Sequence, residues 1–235
     1  MSNSNQRTQK GQSSALRIAI DGPAGAGKST VAKKLAGLLG YDYIDTGAMY
    51  RAVALAALAA GIPGDDEEAL TRLAGSLTIE QVWQRDGTTL KVFLNGRDVT
   101  REIRTPEVSR FVSVIARVPG VRQQLTAKQR AMAASGRVVM EGRDIGTVVL
   151  PDAEKKFFLT ASVEERARRR FLEITGQGYN ATLEEQIREI AARDARDESR
   201  AVAPLMPAPD AVVIDTTGKS PDQVVAEMAA LVRGG

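Results

Sequence analysis

Apolar positions along this 235-residue chain follow two rhythms. Short unbroken apolar runs alternate with longer stretches whose apolar residues recur at helical spacing. Arg17–Asp21 (RIAID) is one such run, stopped by a glycine cluster, and reads as a buried strand. Residues 22–27 form the loop after it. Residues 29–39 set Val31, Leu35, Leu38 and Leu39 on a helical stripe. Residues 41–44 make a second strand and 45–47 a turn into a long helix over about 48–60, which Gly61 and Pro63 end. Further strands are expected at 137–140, 155–159 and 211–214. Helices are expected at about 119–135, 164–175, 183–200 and 220–232, the last with Pro221 near its start. Strands that alternate with helices predict a parallel sheet covered on both faces.

The middle of the chain breaks this rhythm. Residues 77–83, 89–94 and 97–100 are β-like, separated by Asp86-Gly87 and Asn95-Gly96. Both dipeptides tolerate the positive φ that tight hairpins need. Three strands in succession do not fit a strand–helix alternation, so residues 75–112 read as a small antiparallel insert within a core of 16–74 and 113–235. Residues 1–15 are polar and rich in Gln, Ser and Asn, and read as a disordered tail.

Composition narrows the chemistry. With 43% hydrophobic and 26% charged residues, the chain can bury one full-sized core. Its alanine-rich stretch at 52–60 is too short to cross a bilayer, and the N-terminus lacks the apolar centre of a signal peptide. The expectation is a cytoplasmic protein without a membrane partner. The net charge is +3 with acids and bases interleaved, a mixed solvated surface that argues against a nucleic-acid partner. There is no cysteine and no histidine. Disulfides, thiolate metal sites, thiol nucleophiles and histidine bases are therefore excluded. Carboxylates, lysine, arginine, hydroxyls and backbone amides remain, a set that suits phosphoryl transfer.

Gly22-Pro-Ala-Gly-Ala-Gly27-Lys28-Ser29 fits the phosphate-binding pattern G-x-x-x-x-G-K-[ST]. It follows a strand and opens an amphipathic helix, so inward-turned amides and the helix dipole converge on an anion. Lys28, expected to face solvent, would reach the β- and γ-phosphates, and the Ser29 hydroxyl would ligate Mg²⁺. The N-K-x-D segment of a GTPase is absent. Asp215-Thr-Thr-Gly218 matches D-x-x-G by coincidence, because it follows the last strand.

Arginines supply the second set. Asp45-Thr46-Gly47-Ala48-Met49-Tyr50-Arg51 leaves the second strand and enters a helix. Its N-terminus with Arg51 makes either an anion site or an ordinary capped helix. Glu141-Gly142-Arg143-Asp144 leaves a core strand in the same way, and in isolation such an Arg-Asp pair is structural. Arg166, Arg168, Arg169 and Arg170 share one helix behind Glu164 and Glu165, and Arg168 reads as its wet face. Arg193, Arg196, Asp197 and Arg200 fall on one helical stripe beside an apolar one of Leu183, Ile187 and Ile190. That charged stripe is either solvated or set against bound anions.

Taken in order, IDGPAGAGKST, DTGAMYRA, LNGRDVT and EIRTPEVS, EGRDIGTVV, EERARRR and RDARDESRAVAPL resemble the bacterial cytidylate kinases, among the nucleoside monophosphate kinases. The resemblance runs over about 17–232, with no departure that disables the site. It implies a P-loop NTPase-type α/β fold: a five-stranded parallel sheet flanked by helices, a small antiparallel β insert that binds the nucleoside monophosphate, and a helical lid at about 162–200. The implied reaction moves the γ-phosphoryl of ATP onto CMP or dCMP with Mg²⁺, in a monomer. ATP would be held by Gly22, Pro23, Ala24, Gly25, Ala26, Gly27, Lys28, Ser29, Thr30 and Arg166. Arg51, Arg143 and Arg200 would bind the CMP phosphate, and Arg193 and Asp197 the ribose. Ser113, Arg122 and Asp144 would read cytosine, with Thr46 and Tyr50 in the same subsite. Arg166, Arg169 and Arg170 would belong to the lid, and Lys28, Arg143, Arg169, Arg170 and Arg200 would act on the transferring group. The rivals are a kinase of the same fold with another acceptor, such as a different monophosphate or shikimate, and a nucleotide-binding protein without turnover. The strand-rich insert argues for the cytidylate group.

Overall fold

A computed structural model describes residues 15–84, 89–176 and 178–234. The expected tail at 1–14 and the hairpin turn at Asp86-Gly87 lie outside the described residues. Five parallel strands form the central sheet: β1 (Arg17–Asp21), β2 (Asp42–Asp45), β6 (Val138–Glu141), β7 (Lys155–Thr160) and β8 (Val212–Asp215), in the order β2-β6-β1-β7-β8. Alternation along the strands sorts the core into two layers. Ile18, Ile20, Tyr43, Val139, Phe157 and Leu159 join one cluster with α1 (Lys28–Leu39), α2 (Thr46–Ala59) and α8 (Pro221–Arg233). Ala19, Ile44, Val138 and Met140 join a smaller one with Ala133, Ile145, Val149 and Leu150. Coverage stops at the β8 edge, where Val213 remains 56% exposed; the expectation of two covered faces fails there.

The insert contains the three expected strands, β3 (Ile79–Trp83), β4 (Leu90–Leu94) and β5 (Arg97–Asp98), paired antiparallel. Asn95 and Gly96 take φ of 49° and 80°, the left-handed pair their hairpin requires. Two contacts fasten the insert to the edge of the main sheet. The Gln81 amide donates to the Asp45 carbonyl at 2.7 Å and accepts from the Asp45 N–H at 2.9 Å. Trp83 meets Tyr43 edge to face at 5.1 Å.

Several elements differ from the expected ones. Residues 67–76, which the pattern reading leaves unassigned, are α3 (Glu67–Ser76). Asp66 caps it and Leu70 and Ala74 face inward. The strand-like reading of 75–112 fails beyond Asp98. Thr105 caps and Pro106 opens α4 (Pro106–Ile115), which buries Val108, Val112 and Ile115 at helical spacing. α5 (Pro119–Met132) stops short of Ser135. α6 (Val163–Gly176) packs on α7 (Leu183–Glu198), which ends two residues before Arg200. The expected apolar stripe on α7 is weak: Leu183 is exposed, and the buried positions are Gln186, Ile190, Asp194 and Asp197. The buried pairs Arg166–Asp194 and Arg143–Asp197 hold that helix together with Ile190.

Candidate active site

The carboxyl ends of β1, β2 and β6 open into one cleft of about 1550 Å³. That exceeds the usual range for one small ligand, about 300–1,000 Å³. The phosphate loop forms one wall. A Cβ on Gly22 would fall 2.0 Å from the Leu159 carbonyl, and one on Gly25 would fall 2.8 Å from the Arg166 Cβ. Neighbouring β7 and α6 therefore admit only glycine at both places. Lys28 is not solvent-facing. It is 6% exposed, and its Nζ donates to the Pro23 carbonyl at 2.6 Å. Burial, then the nearby Arg143, press its pKa well below the ordinary lysine value. Ser29 lies exposed at the start of α1 and hydrogen-bonds the Glu141 carboxylate.

α6 backs this loop. Arg166 does not line the cleft. It is 4% exposed, with Nε on the Ala161 carbonyl at 2.9 Å and one terminal nitrogen 3.2 Å from the Ala24 carbonyl and 2.7 Å from Asp194. It ties α6, the loop and α7 together from behind. Arg169 faces the loop and donates to Thr216, whose hydroxyl donates to the Ala26 carbonyl. The Asp215-Thr-Thr-Gly218 turn thus borders the phosphate loop. Arg170 pairs with Glu173 at 2.8 Å, and Arg168 stands 56% exposed beside Glu165.

The opposite wall is made of paired arginines. Asp45 ends β2 and caps α2 by accepting from the Ala48 N–H at 2.8 Å. Its other oxygen takes Arg51 at 2.9 Å. Asp197 accepts from Arg143 at 3.1 Å and from Arg200. Burial opposes its ionisation, but Arg143, Arg200 and Arg193 outweigh that and hold its pKa below the ordinary value. Arg122 pairs with Asp144 inside the protein and lies 5.8 Å from the Tyr50 ring. Burial lifts Asp144 despite Arg122, and burial carries the Tyr50 hydroxyl up to about 12. Burial and then Arg143 lower Arg193 to about 10. The Nε atoms of Arg51, Arg193 and Arg200 are buried without a hydrogen-bond partner among the described residues. Unpaired buried donors of one sign mark a place built for an anion.

The cleft therefore gathers Thr46, Tyr50, Arg51, Ser113, Arg122, Arg143, Asp144, Arg193, Asp197 and Arg200 opposite Ala24–Thr30, Arg168, Arg169 and Arg170, so Arg168, read from the sequence as a wet-face residue, also borders it. Of the expected residues, Gly22, Pro23 and Arg166 lie outside its lining.

The model of the family described as cytidylate kinase matches residues 18–234. The chain belongs to the cytidylate kinase family. Two relatives agree along nearly their whole length. The chain is 56% identical over 218 residues to a cytidylate kinase of Pelotomaculum thermopropionicum, covering 93% of this chain and 96% of the relative. It is also 56% identical to a cytidylate kinase of Desulforamulus reducens, covering 93% and 97%. An uncharacterised protein of Eubacterium ventriosum shares the fold at 13% identity and a TM-score of 0.51, over 94% of this chain and 99% of that one.

Within this cytidylate kinase family fold, the sequence reading left several cleft residues without a role. Lys33 and Arg104 flank Asp45 and lower its pKa together with Arg51, against the effect of burial. Glu141 is buried under Tyr43, and burial followed by Asp45 raises its pKa. Arg104 was legible only through the Thr105-Pro106 cap that follows it. Glu141 was legible as the last residue of a central strand. Among the described residues, no cluster of three or more His, Cys, Asp or Glu is arranged for a metal, and no helix is long and apolar enough to cross a membrane.

Proposed function

We propose that the chain transfers the γ-phosphoryl of ATP to CMP or dCMP, giving ADP and CDP or dCDP. The observation that carries this reading is the joining of a phosphate loop and three unpaired arginine Nε atoms in one cleft. The loop amides and Lys28 hold the ATP phosphates. Arg51, Arg143 and Arg200 bind the CMP phosphate, Arg193 and Asp197 the ribose, and Ser113, Arg122 and Asp144 the base. Arg169 and Arg170 close over the transferring group, and Arg166 braces the loop they close on. Residues 75–112 act with α4 as the acceptor-binding insert.

The acceptor oxygen belongs to a phosphate that is already ionised near neutral pH, so no general base is needed. The barrier is repulsion between two polyanions and the cost of aligning them. Arginines aimed at the developing charge offset the first, and two substrates held in one cleft reduce the second. Closure of α6 and α7 excludes water, the competing acceptor. Mg²⁺ prefers hard oxygens and is commonly held by one or two protein groups plus phosphate oxygens. The exposed Ser29 hydroxyl fits that donor chemistry and would hold the ion, which when bound neutralises phosphate charge. The protein works as a cytoplasmic monomer without nucleic acid.

A coupled ADP-release assay with AMP, CMP, dCMP, UMP and GMP, with and without Mg²⁺, tests the reading. CMP-dependent and dCMP-dependent ADP release is expected. Release with another monophosphate alone, or ATP binding without release, overturns it.

A further inference from the structure

Asp21 ends β1 immediately before the phosphate loop, yet its carboxylate is hydrogen-bonded to the turn after β6. One carboxylate oxygen accepts from the Ile145 N–H and the other from the Gly146 N–H, both at 2.7 Å. The residue is 3% exposed. Three residues earlier, the Gly142 N–H donates to the Ile20 carbonyl at 3.0 Å. The turn 142–146 is therefore fastened to β1 at both ends, by a backbone carbonyl and by a carboxylate. Arg143 and Asp144 project from the middle of that fastened span into the cleft.

We propose that Asp21 is a positioning residue for the acceptor side of the cleft: its carboxylate fixes the turn that aims Arg143 and Asp144 at the nucleoside monophosphate. The inference rests on the acceptor reading of those two residues. The asymmetry of the contacts supports it. The backbone of Asp21 is locked in the sheet, whereas the turn has no sheet partner of its own beyond Gly142. Loss of the carboxylate therefore loosens the turn and leaves the phosphate loop in place.

The charged environment makes the device pH-sensitive. Burial raises Asp21 to about 6, against the two amide hydrogen bonds; Asp144 adds to the rise and Lys28 opposes it. From β7, the Lys156 stem packs near Gly146 beside Asp21, while the Lys156 ammonium is engaged by Asp210 and the Pro151 carbonyl. A carboxylate raised in this way is ionised above that range and protonated below it. Protonation leaves one good acceptor for two amides.

Asp21→Asn has the same shape with only one acceptor oxygen. In steady-state assays with ATP and CMP varied from pH 5 to 8, the variant should raise KM for CMP by about tenfold or more, the scale of a hydrogen bond to a charged group, with KM for ATP within about twofold. Substrate titration would obscure the pH effect, because phosphate monoesters also ionise near pH 6. The wild-type kcat/KM for CMP should therefore fall between pH 8 and 5 by up to about tenfold more than the variant's, whose acid limb follows the substrate alone. Equal changes in both KM values, or identical falls with pH, overturn the proposal while leaving the kinase reading intact. Absence of CMP-dependent turnover in the wild type defeats the kinase reading instead. Should the variant not fold, hydrogen exchange on the wild type decides. The Ile145 and Gly146 amides should lose protection, beyond the intrinsic pH effect, between pH 7.5 and 5; unchanged protection overturns the proposal.

Discussion

The phosphate-loop wall of the cleft is made from one contiguous stretch, residues 24–30, shaped by backbone amides and glycines. The acceptor half takes side chains from β2, α2, α5, the turn after β6 and α7, joined by pairs such as Arg143 with Asp197 and Arg122 with Asp144. Backbone groups carry partial charges and need no counter-ions. Clustered guanidiniums repel one another, so Arg51, Arg122, Arg143 and Arg200 are each held by an acid until an anion arrives. Asp45, Asp144 and Asp197 do that holding. The lesson is that a site for an anion can be built cheaply from amides, or adjustably from side chains at the cost of buried counter-charges. The two halves should therefore respond differently to mutation.

The largest expected effect is on the donor side. Lys28→Met should lower kcat by about 10²-fold or more, the scale for removing a charge partner of the transition state. Its effect on stability should have the opposite sense. Burial and Arg143 lower the lysine pKa in the folded protein, so the folded state holds that proton less tightly than the unfolded one. The cation therefore destabilises the fold at any pH below its ordinary 10.5. A Tm equal to or above wild type is expected. A clear fall in Tm would contradict this account of the buried lysine.

On the acceptor side, stability and function should fall together. Asp197→Asn leaves Arg143 and Arg200 without their acid and should destabilise by about 3 kcal/mol, the scale for breaking a buried pair. The sign with pH is the reverse of the lysine case. Asp197 is held below its ordinary 3.8 by Arg143, Arg200 and Arg193 against burial. Its stabilisation is complete above 3.8 and is lost as pH falls through the lower folded-state value. Denaturant curves should show a wide gap between wild type and variant at pH 7 that narrows below that point. A gap that does not change with pH removes the ion-pair explanation.

A smaller effect concerns base choice. Cytosine offers an N4 amino donor where uracil offers an O4 acceptor, and an ionised carboxylate only accepts. Asp144→Asn should lower the CMP-over-UMP ratio of kcat/KM by about tenfold, one polar contact's worth of discrimination. The Arg122 pair provides the alternative. If Asp144 serves only to hold Arg122, both substrates should lose alike and the ratio should stay.

The same contrast explains what the sequence disclosed. The donor loop was legible because its determinants are adjacent: a strand, a glycine pattern, Lys28 and a helix. All five core strands were legible for a similar reason, each being a short apolar run, although β8 at the sheet edge leaves Val212 and Val213 exposed. Acceptor residues were legible as types but not as partners, because Arg122 meets Asp144 and Arg143 meets Asp197 only through the fold. Arg166, which the resemblance groups with Arg169 and Arg170, was legible as a residue of that helix, but its contacts with Ala24 and Asp194 come only from packing. α4 was missed although Thr105-Pro106 is a good helix start, since two hairpin dipeptides upstream favoured continuing the strands. Buried groups outside any motif, such as Gln81 on Asp45, left no local signal at all.

The smallest expected effect separates two neighbouring arginines of α6, both of which border the cleft. Arg168 and Arg169 are adjacent in sequence and both reach Glu165. Arg169 is further tied to Thr216 and lies over the phosphate loop, while Arg168 has only Glu165 and stands 56% exposed. An exposed pair at this spacing contributes about 0.5 kcal/mol or less, because water screens it and two long side chains must be ordered to form it. Arg168→Ala should therefore leave Tm within a degree or two, about the shift that energy produces in a domain of this size, and kcat within about twofold. Raising the salt concentration should erase even that difference, since screening acts most strongly on exposed charges. The Arg169→Ala variant is the internal control, with a loss of kcat expected at unchanged KM for CMP. A loss in the Arg168 variant as large as in the Arg169 variant would mean that Arg168, which also borders the cleft, reaches the phosphates on closure, and the distinction between the two arginines would fall.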